Sequence, residues 1–207
     1  MTGFWDKHVV PRLIGCACSQ PAIMRDRRQV VPYAHGDILE LGCGSANLPI
    51  YNWDKIASLS GIDPSPALLR RAKAAAQKAG YRVDFRAGIA EALPFEDASF
   101  DSVVSTFTLC SVQDQAAALN ETWRVLRPGG KLYFAEHGKS PDVAPARWQS
   151  RIEPYWKKIA GGCHLTRGVV SAISAGGFTI GKHNGHYMKM TPQWLGWIEY
   201  GEAQKIA

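Results

Sequence analysis

From Asp37 to Glu136 short apolar runs alternate with helix-period stripes, and this alternation constrains the fold more than any other feature of the chain. Ile38, Leu39 and Leu41 make a first short strand that ends in Gly42 and Gly44, and Ile56 to Ile62 is a second strand candidate. Ser65 and Pro66 suit the N-cap and first turn of a helix whose stripe is Leu68, Leu69, Ala72, Ala75, Ala76 and Ala79, stopped at Gly80. A third strand is predicted from Val83 to Ala87 and a fourth from Phe100 to Phe107, where Val103 and Val104 sit in the near-continuous apolar run of a strand buried on both faces. Ala116, Leu119, Trp123 and Leu126 mark a helix ending before Pro128, and Lys131 to Ala135 a fifth strand. A β-α-β-α order of this kind requires an open, mostly parallel sheet with right-handed crossovers.

The flanks differ from this middle. Phe4, Trp5, Val9, Leu13 and Ile14 recur at helical spacing, and Pro21 separates a second segment, Ala22 to Tyr33, that carries Arg25, Arg27 and Arg28. Residues 1–36 are therefore expected to form a helical lid on a domain of residues 37–207. Downstream, Ala146 to Ala160 is predicted as a helix with Trp148, Ile152, Trp156 and Ile159 inward and a kink at Pro154. Arg167 to Ala175 reads as another helix, with Phe178 to Met188 and Leu195 to Tyr200 as a closing strand pair.

At 207 residues and 46% hydrophobic the chain suits one globular domain, and the composition excludes a disordered or collagen-like polymer. The net charge of +6 resolves into +3 over residues 1–36, −2 over 37–136 and +5 over 137–207. The flanks hold no block of like charges and no aromatic-interleaved RNA signature, so a solvated basic face is expected and no nucleic-acid partner. With no apolar run of membrane-spanning length, the expected compartment is the cytoplasm. Five scattered cysteines point to free thiols, and Cys16 and Cys18 lack a second ligand pair at metal spacing, so no metal is expected. His183 and His186 are expected to face solvent.

In an open parallel sheet a ligand sits beyond the carboxyl ends of the strands, which directs attention to the loop Glu40-Leu41-Gly42-Cys43-Gly44. Gly42 and Gly44 permit a tight turn and a close backbone approach. Asp63, at the end of the second strand, stands where an acidic side chain meets ribose hydroxyls. A dinucleotide fingerprint would need glycine at Asn47, and Glu40 favours a cationic ligand over phosphates. S-adenosylmethionine, with an ammonium, a sulfonium and no phosphate, fits both features. Cys43 is expected to be a small apolar filler.

Glu40 to Gly44, Gly61-Ile62-Asp63-Pro64-Ser65, Ala90 to Phe95, Phe100 to Val104 and Arg124 to Gly130 resemble, in order and spacing, the motifs of class I S-adenosylmethionine-dependent methyltransferases of the type 11 kind. Leu109 to Gln113, Glu136-His137, Trp148-Gln149, Glu153-Pro154, Trp156-Lys157 and Gly162 to Arg167 are similar to a narrower branch, the methyltransferase-like alkyl thiol S-methyltransferases and their bacterial relatives. The resemblance implies a Rossmann-like fold: a seven-stranded, mostly parallel sheet with helices on both faces, here with the N-terminal lid. It implies that Gly42, Cys43 and Gly44 line the methionine end with Glu40 supporting the loop, that Asp63 takes the ribose, and that Pro64 and Ser65 flank the adenine. Ile89, Ala90 and Glu91 would meet the adenine edge, and Thr106 and Phe107 would lie beside the methyl group. Ile89 replaces an Asp common in relatives, and Asn47 falls where a glycine is usual.

The implied function is methyl transfer from S-adenosylmethionine to a small-molecule acceptor, with a thiol as first choice. His137, His164 and Arg167 are the candidate catalytic residues on the acceptor side, with Phe107, Trp148 and Trp156 as an apolar pocket. Alternatives are a phospholipid amine or quinone-like acceptor, for which the basic flanks and Phe4, Trp5 and Ile14 would offer a peripheral membrane contact, and a protein that binds S-adenosylmethionine without turnover.

Overall fold

The computed structural model describes residues 20–44 and 46–206. The expected N-terminal stripe from Phe4 to Ile14 and the Cys16–Cys18 pair lie outside them. The described chain opens with helix α1 (Pro21–Arg27), a 3-10 turn at Val31–Tyr33, and strand β1 (Gly36–Leu41). Then follow β2 (Ile56–Asp63), α2 (Pro66–Ala79), β3 (Asp84–Ala87), β4 (Phe100–Thr106), α3 (Gln115–Val125) and β5 (Leu126–His137). The last third holds α4 (Val143–Ile159), α5 (Val169–Ala175), β6 (Thr179–Tyr187), α6 (Gln193–Gly196) and β7 (Trp197–Gln204). Among the described residues no helix is long and apolar enough to cross a membrane.

One seven-stranded sheet runs β3-β2-β1-β4-β5-β7-β6. Its first five strands in this order are parallel, and only β7 runs against its neighbours β5 and β6. The order reverses between β1 and β4, which opens the crevice where an α/β sheet binds its ligand. Successive side chains of a strand point to opposite faces, and here both faces are buried. Leu39, Leu41, Val103, Leu132 and Phe134 pack with Leu119 and Val125 of α3 and Val169 and Ile173 of α5. Ile38, Val104, Tyr133 and Ala135 turn the other way, into a second core with Leu69, Ala72 and Ala76 of α2. Each buried Leu, Ile, Val or Phe among them contributes about 1.5–3 kcal/mol by leaving water, so a helix layer on either face is required to cover the sheet.

Local chemistry sets the ends of α2. Ser65 Oγ accepts from the Leu68 N–H at 3.4 Å, Pro66 occupies the first turn, and Gly80 closes the helix at φ +76°. Elsewhere the structure corrects the expected boundaries and faces. The buried side of α3 is Ala118, Leu119, Thr122 and Val125, while Leu126 already opens β5. Thr122 tolerates full burial because its hydroxyl donates to the Ala118 carbonyl at 2.8 Å. β5 is longer than Lys131 to Ala135 because it passes Pro128–Gly130 on a register shift against β4. In α4 the buried residues are Pro145 and Gln149, whereas Trp148 is 53% and Ile159 56% exposed. His186 is not free in solvent: its Nε2 lies 2.9 Å from the buried Asp26 carboxylate and ties β6 to α1.

Candidate functional site

The crevice is bordered by the loop after β1. Gly42 stands at φ +68°, and a Cβ there would collide with the Thr108 hydroxyl, which donates to the Leu41 carbonyl at 3.0 Å. Gly61 on β2 is equally constrained, since its Cβ would come within 2.7 Å of that of Cys43. Cys43 is buried against this glycine, its N–H donates to Ile62 at 2.9 Å, and burial pushes its thiol well above the usual range. It is a filler, held in its protonated form. Beside Gly44, by contrast, a Cβ would meet no atom of the described residues within 4 Å, so among them the loop leaves open room where a ligand is expected.

Glu40 does not reach a ligand directly. It is 1% exposed, and its oxygens accept from Asn47 Nδ2 at 2.9 Å and from the Tyr51 hydroxyl at 3.0 Å. Burial pushes its carboxyl up to about 7, against the opposing pull of the Arg27 charge and of these hydrogen bonds. Asn47, where the sequence suggested only a missing glycine, is the hub of a polar network. Its Oδ1 accepts from Arg27 Nη1 at 2.7 Å, and its Nδ2 also donates to Thr106 Oγ1 at 3.0 Å. Arg27 Nη1 donates to Thr106 Oγ1 as well, and the guanidinium stands 5.4 Å from the Phe107 ring centroid. Sequence could not separate Arg27 from Arg25 and Arg28, because only the fold shows which of the three turns inward.

At the end of β2, Asp63 is 4% exposed, its Oδ1 accepts from the Ser65 N–H at 2.7 Å, and burial raises its carboxyl to about 6. Pro64 is exposed and Ser65 half-buried beside it. Ile89 is 49% exposed and bridges to Ala92, and Ala90 is buried between them. Glu91 is engaged: its Oε1 accepts from the Gln113 N–H at 2.7 Å and the Asp114 N–H at 3.3 Å, pinning the start of α3.

Across the crevice, Phe107 takes φ +58°, a conformation rare for a side chain of its size, with its N–H bonded to Ala135 at 2.8 Å. The loop that follows is held by Glu136, which is buried in β5. Its carboxylate accepts from Ser105 Oγ at 2.7 Å and from the N–H groups of Thr108, Leu109 and Cys110 at 3.0, 3.1 and 3.2 Å. Burial raises its carboxyl and these donors oppose the rise. A lone acid ending the apolar run Leu132 to Ala135 was the available signal for this anchor.

His137 follows Glu136, its ring 5.8 Å from that of Phe107 and its Nδ1 3.5 Å from Cys163 Sγ. His137 Nε2 is buried with no hydrogen-bond partner among the described residues. Contact with Cys110, assisted by His137, holds the Cys163 thiol well below its usual range, while the same contact and burial hold Cys110 above it. His164 and Arg167 are occupied otherwise. His164 Nδ1 lies 3.2 Å from Glu153 Oε1, and burial together with the Arg167 charge lowers its affinity for a proton. Arg167 donates to the carbonyls of Leu109, Val112 and Gln113 at 3.0, 2.7 and 3.1 Å, which braces the post-β4 loop. Trp156 packs edge-on against Trp194 at 6.3 Å, but Trp148 lies outside with Arg151 over its ring, so the expected pocket loses that wall. No His, Cys, Asp and Glu cluster able to hold a metal occurs among the described residues.

Comparison with known proteins matches residues 39–134 to the family described as methyltransferase domain. The thiol S-methyltransferase TMT1B of Rattus norvegicus is 40% identical over 135 residues, covering 63% of this chain and 54% of that protein. A demethylmenaquinone methyltransferase of Roseiflexus castenholzii is 39% identical over 136 residues, covering 63% of this chain and 56% of that protein. The chain thus spans about half the length of the curated relatives it matches. The crystal structure of a SAM-dependent methyltransferase from Methanosarcina mazei shares the fold at TM-score 0.68 and 24% identity, covering 90% of this chain and 98% of that one.

Proposed function

We propose that the protein, whose residues 39–134 match the family described as methyltransferase domain, transfers a methyl group from S-adenosylmethionine to a small thiol. The observation that carries the cofactor is the pairing of two features across the crevice: the open space beside Gly44 and the buried Asp63 carboxylate at the next strand end. Gly42 to Gly44 would hold the methionine end, Asp63 the ribose, and Ser65, Ile89 and Ala90 the adenine side. The bound cofactor supplies an electrophilic methyl group on a sulfonium that leaves readily.

What remains for the protein is orientation, exclusion of water and custody of one proton. Fixing two reactants in a near-attack arrangement is worth on the order of 7–11 kcal/mol, so strong acid–base machinery is not required. A thiol of pKa about 8.5 needs only modest help to ionise at neutral pH. The base assigned to that proton is His137 Nε2, buried near Phe107 with no hydrogen-bond partner among the described residues, a geometry that supports the role, with Nδ1 steadied by Cys163. His164 and Arg167 act through the loop they brace. α1 is the part of the expected lid that the described residues include, and Arg27 reaches from it to Asn47 and Thr106. Buried free thiols at Cys43, Cys110 and Cys163 suit a reducing, cytoplasmic setting.

Likeness to a protein named demethylmenaquinone methyltransferase favours a quinone-like acceptor as the second reading. A screen of thiols, amines, phenols, quinols and phospholipids with labelled S-adenosylmethionine and mass-spectrometric product identification separates the two. A methylated thiol supports the first reading and a methylated ring carbon the second. Cofactor binding without any product overturns both in favour of a non-catalytic binding protein.

A further inference from the structure

We infer that Arg27 is the anchor for the carboxylate of the cofactor's methionine portion, an assignment that rests on the S-adenosylmethionine reading above. Arg27 is 5% exposed, yet among the described residues its Nη1 meets only the neutral oxygens of Asn47 and Thr106, and its Nε is buried without a hydrogen-bond partner. No carboxylate of the described residues forms an ion pair with it; Glu40 stands one step away, sealed behind Asn47 and Tyr51. A guanidinium taken out of water is normally paired with an anion, because the desolvation of an unpaired buried charge costs several kcal/mol. The arrangement is that of a cation whose counter-ion arrives with the ligand.

Position identifies which anion that is. Asn47 and Thr106 belong to the loop after β1 and to the end of β4, the two elements that border the open space at Gly44. The methionine end of the cofactor is expected there, and its only anionic group is the α-carboxylate. The planar guanidinium offers paired donors to such a group. Arg27 also lies over the Phe107 ring, so the residue that would hold the amino-acid tail touches the residue that faces the acceptor.

The competing explanation is that Arg27 merely ties α1 to the sheet, and removing the anion from the ligand side distinguishes the two. Full-length wild type, Arg27→Lys and Arg27→Met are titrated calorimetrically with S-adenosylhomocysteine and with its decarboxylated analogue, which keeps the amine and the adenosine. Loss of a charge-assisted contact is worth about 10- to 100-fold in affinity, so wild type should prefer the carboxylate-bearing ligand by that factor. Arg27→Met should bind the two within about threefold, the loss falling on S-adenosylhomocysteine. Arg27→Lys, which keeps the charge, should retain part of the preference and serves as the decisive variant should Arg27→Met fail to fold. Undiminished discrimination in either variant overturns the assignment, even where both ligands weaken equally, because a tether moves both together. Wild type that binds both ligands alike overturns Arg27 but leaves the cofactor reading intact; wild type that binds neither overturns both.

Discussion

Tyr51 donates its hydroxyl to Glu40 at 3.0 Å, and both side chains are buried at the root of the cofactor loop. The carboxyl is pushed by burial from 4.5 up to about 7. The folded protein therefore holds a proton that the unfolded chain releases near pH 4.5, and the stability this proton confers is lost as pH rises from about 4.5 through 7. Glu40→Gln lacks that titration. Relative to wild type, the variant should gain on the order of 3 kcal/mol between pH 4.5 and pH 8. Urea midpoints at the two pH values test it, and a difference between the proteins that does not change with pH refutes it.

Asp63 supplies the second pH-dependent feature. Its carboxyl is raised to about 6 by burial, so the carboxylate proposed to accept from the ribose hydroxyls forms as pH rises through that value. Affinity for S-adenosylhomocysteine should fall below about pH 6 in wild type. Asp63→Ala should weaken binding by about 1.5–3 kcal/mol at pH 7.5 and lose this pH dependence. Calorimetry that finds the affinity of Asp63→Ala unchanged removes Asp63 from the ribose site.

Glu136→Ala unpairs three backbone N–H groups of the loop after β4 at once. Each buried donor left unsatisfied costs about 1–3 kcal/mol, and since such terms do not add fully, a loss of about 3 kcal/mol or more is expected in chemical denaturation. Glu136→Gln should fall between wild type and Ala, because its amide nitrogen cannot accept from Cys110.

His137 and His164 should separate in kinetics. If His137 Nε2 takes the acceptor proton, His137→Gln should lower kcat/KM for a thiol by about 100-fold or more at pH 7. The gap should narrow above pH 8.5, where the thiol ionises unaided. His164→Ala should leave the pH midpoint in place, because that ring is committed to Glu153. A pH profile that shifts with His164 and ignores His137 reverses the assignment.

The parallel strands and the cofactor loop were legible because buried strands and glycine-limited turns leave local marks: Val103 and Val104, Gly42, Gly80. The order of strands beyond β5 was not legible, since nothing local in Trp197–Gln204 says that it slots between β5 and β6. Side-chain alliances made across long sequence separations were not legible. Arg27 with Thr106 and Glu136 with Cys110 join elements far apart in the chain, and each partner alone reads as an ordinary charged or polar residue. Helical faces failed where periodicity admitted two stripes: Trp148 looked inward on spacing, but α4 buries Gln149, whose amide bonds Ser140 and Gly138.

β5 receives its outer partner from β7, which follows it in the chain by some 60 residues, and Lys205 then fastens the junction by donating from Nζ to the carbonyls of Trp123 and Leu126. On the ribosome the parallel strands β1 to β5 can therefore assemble while one flank of β5 still presents unpaired amides and carbonyls. Such an open flank invites pairing with another nascent chain. Slowing synthesis between His137 and Gln204 should therefore depress soluble yield more than the same slow codon stretch placed earlier.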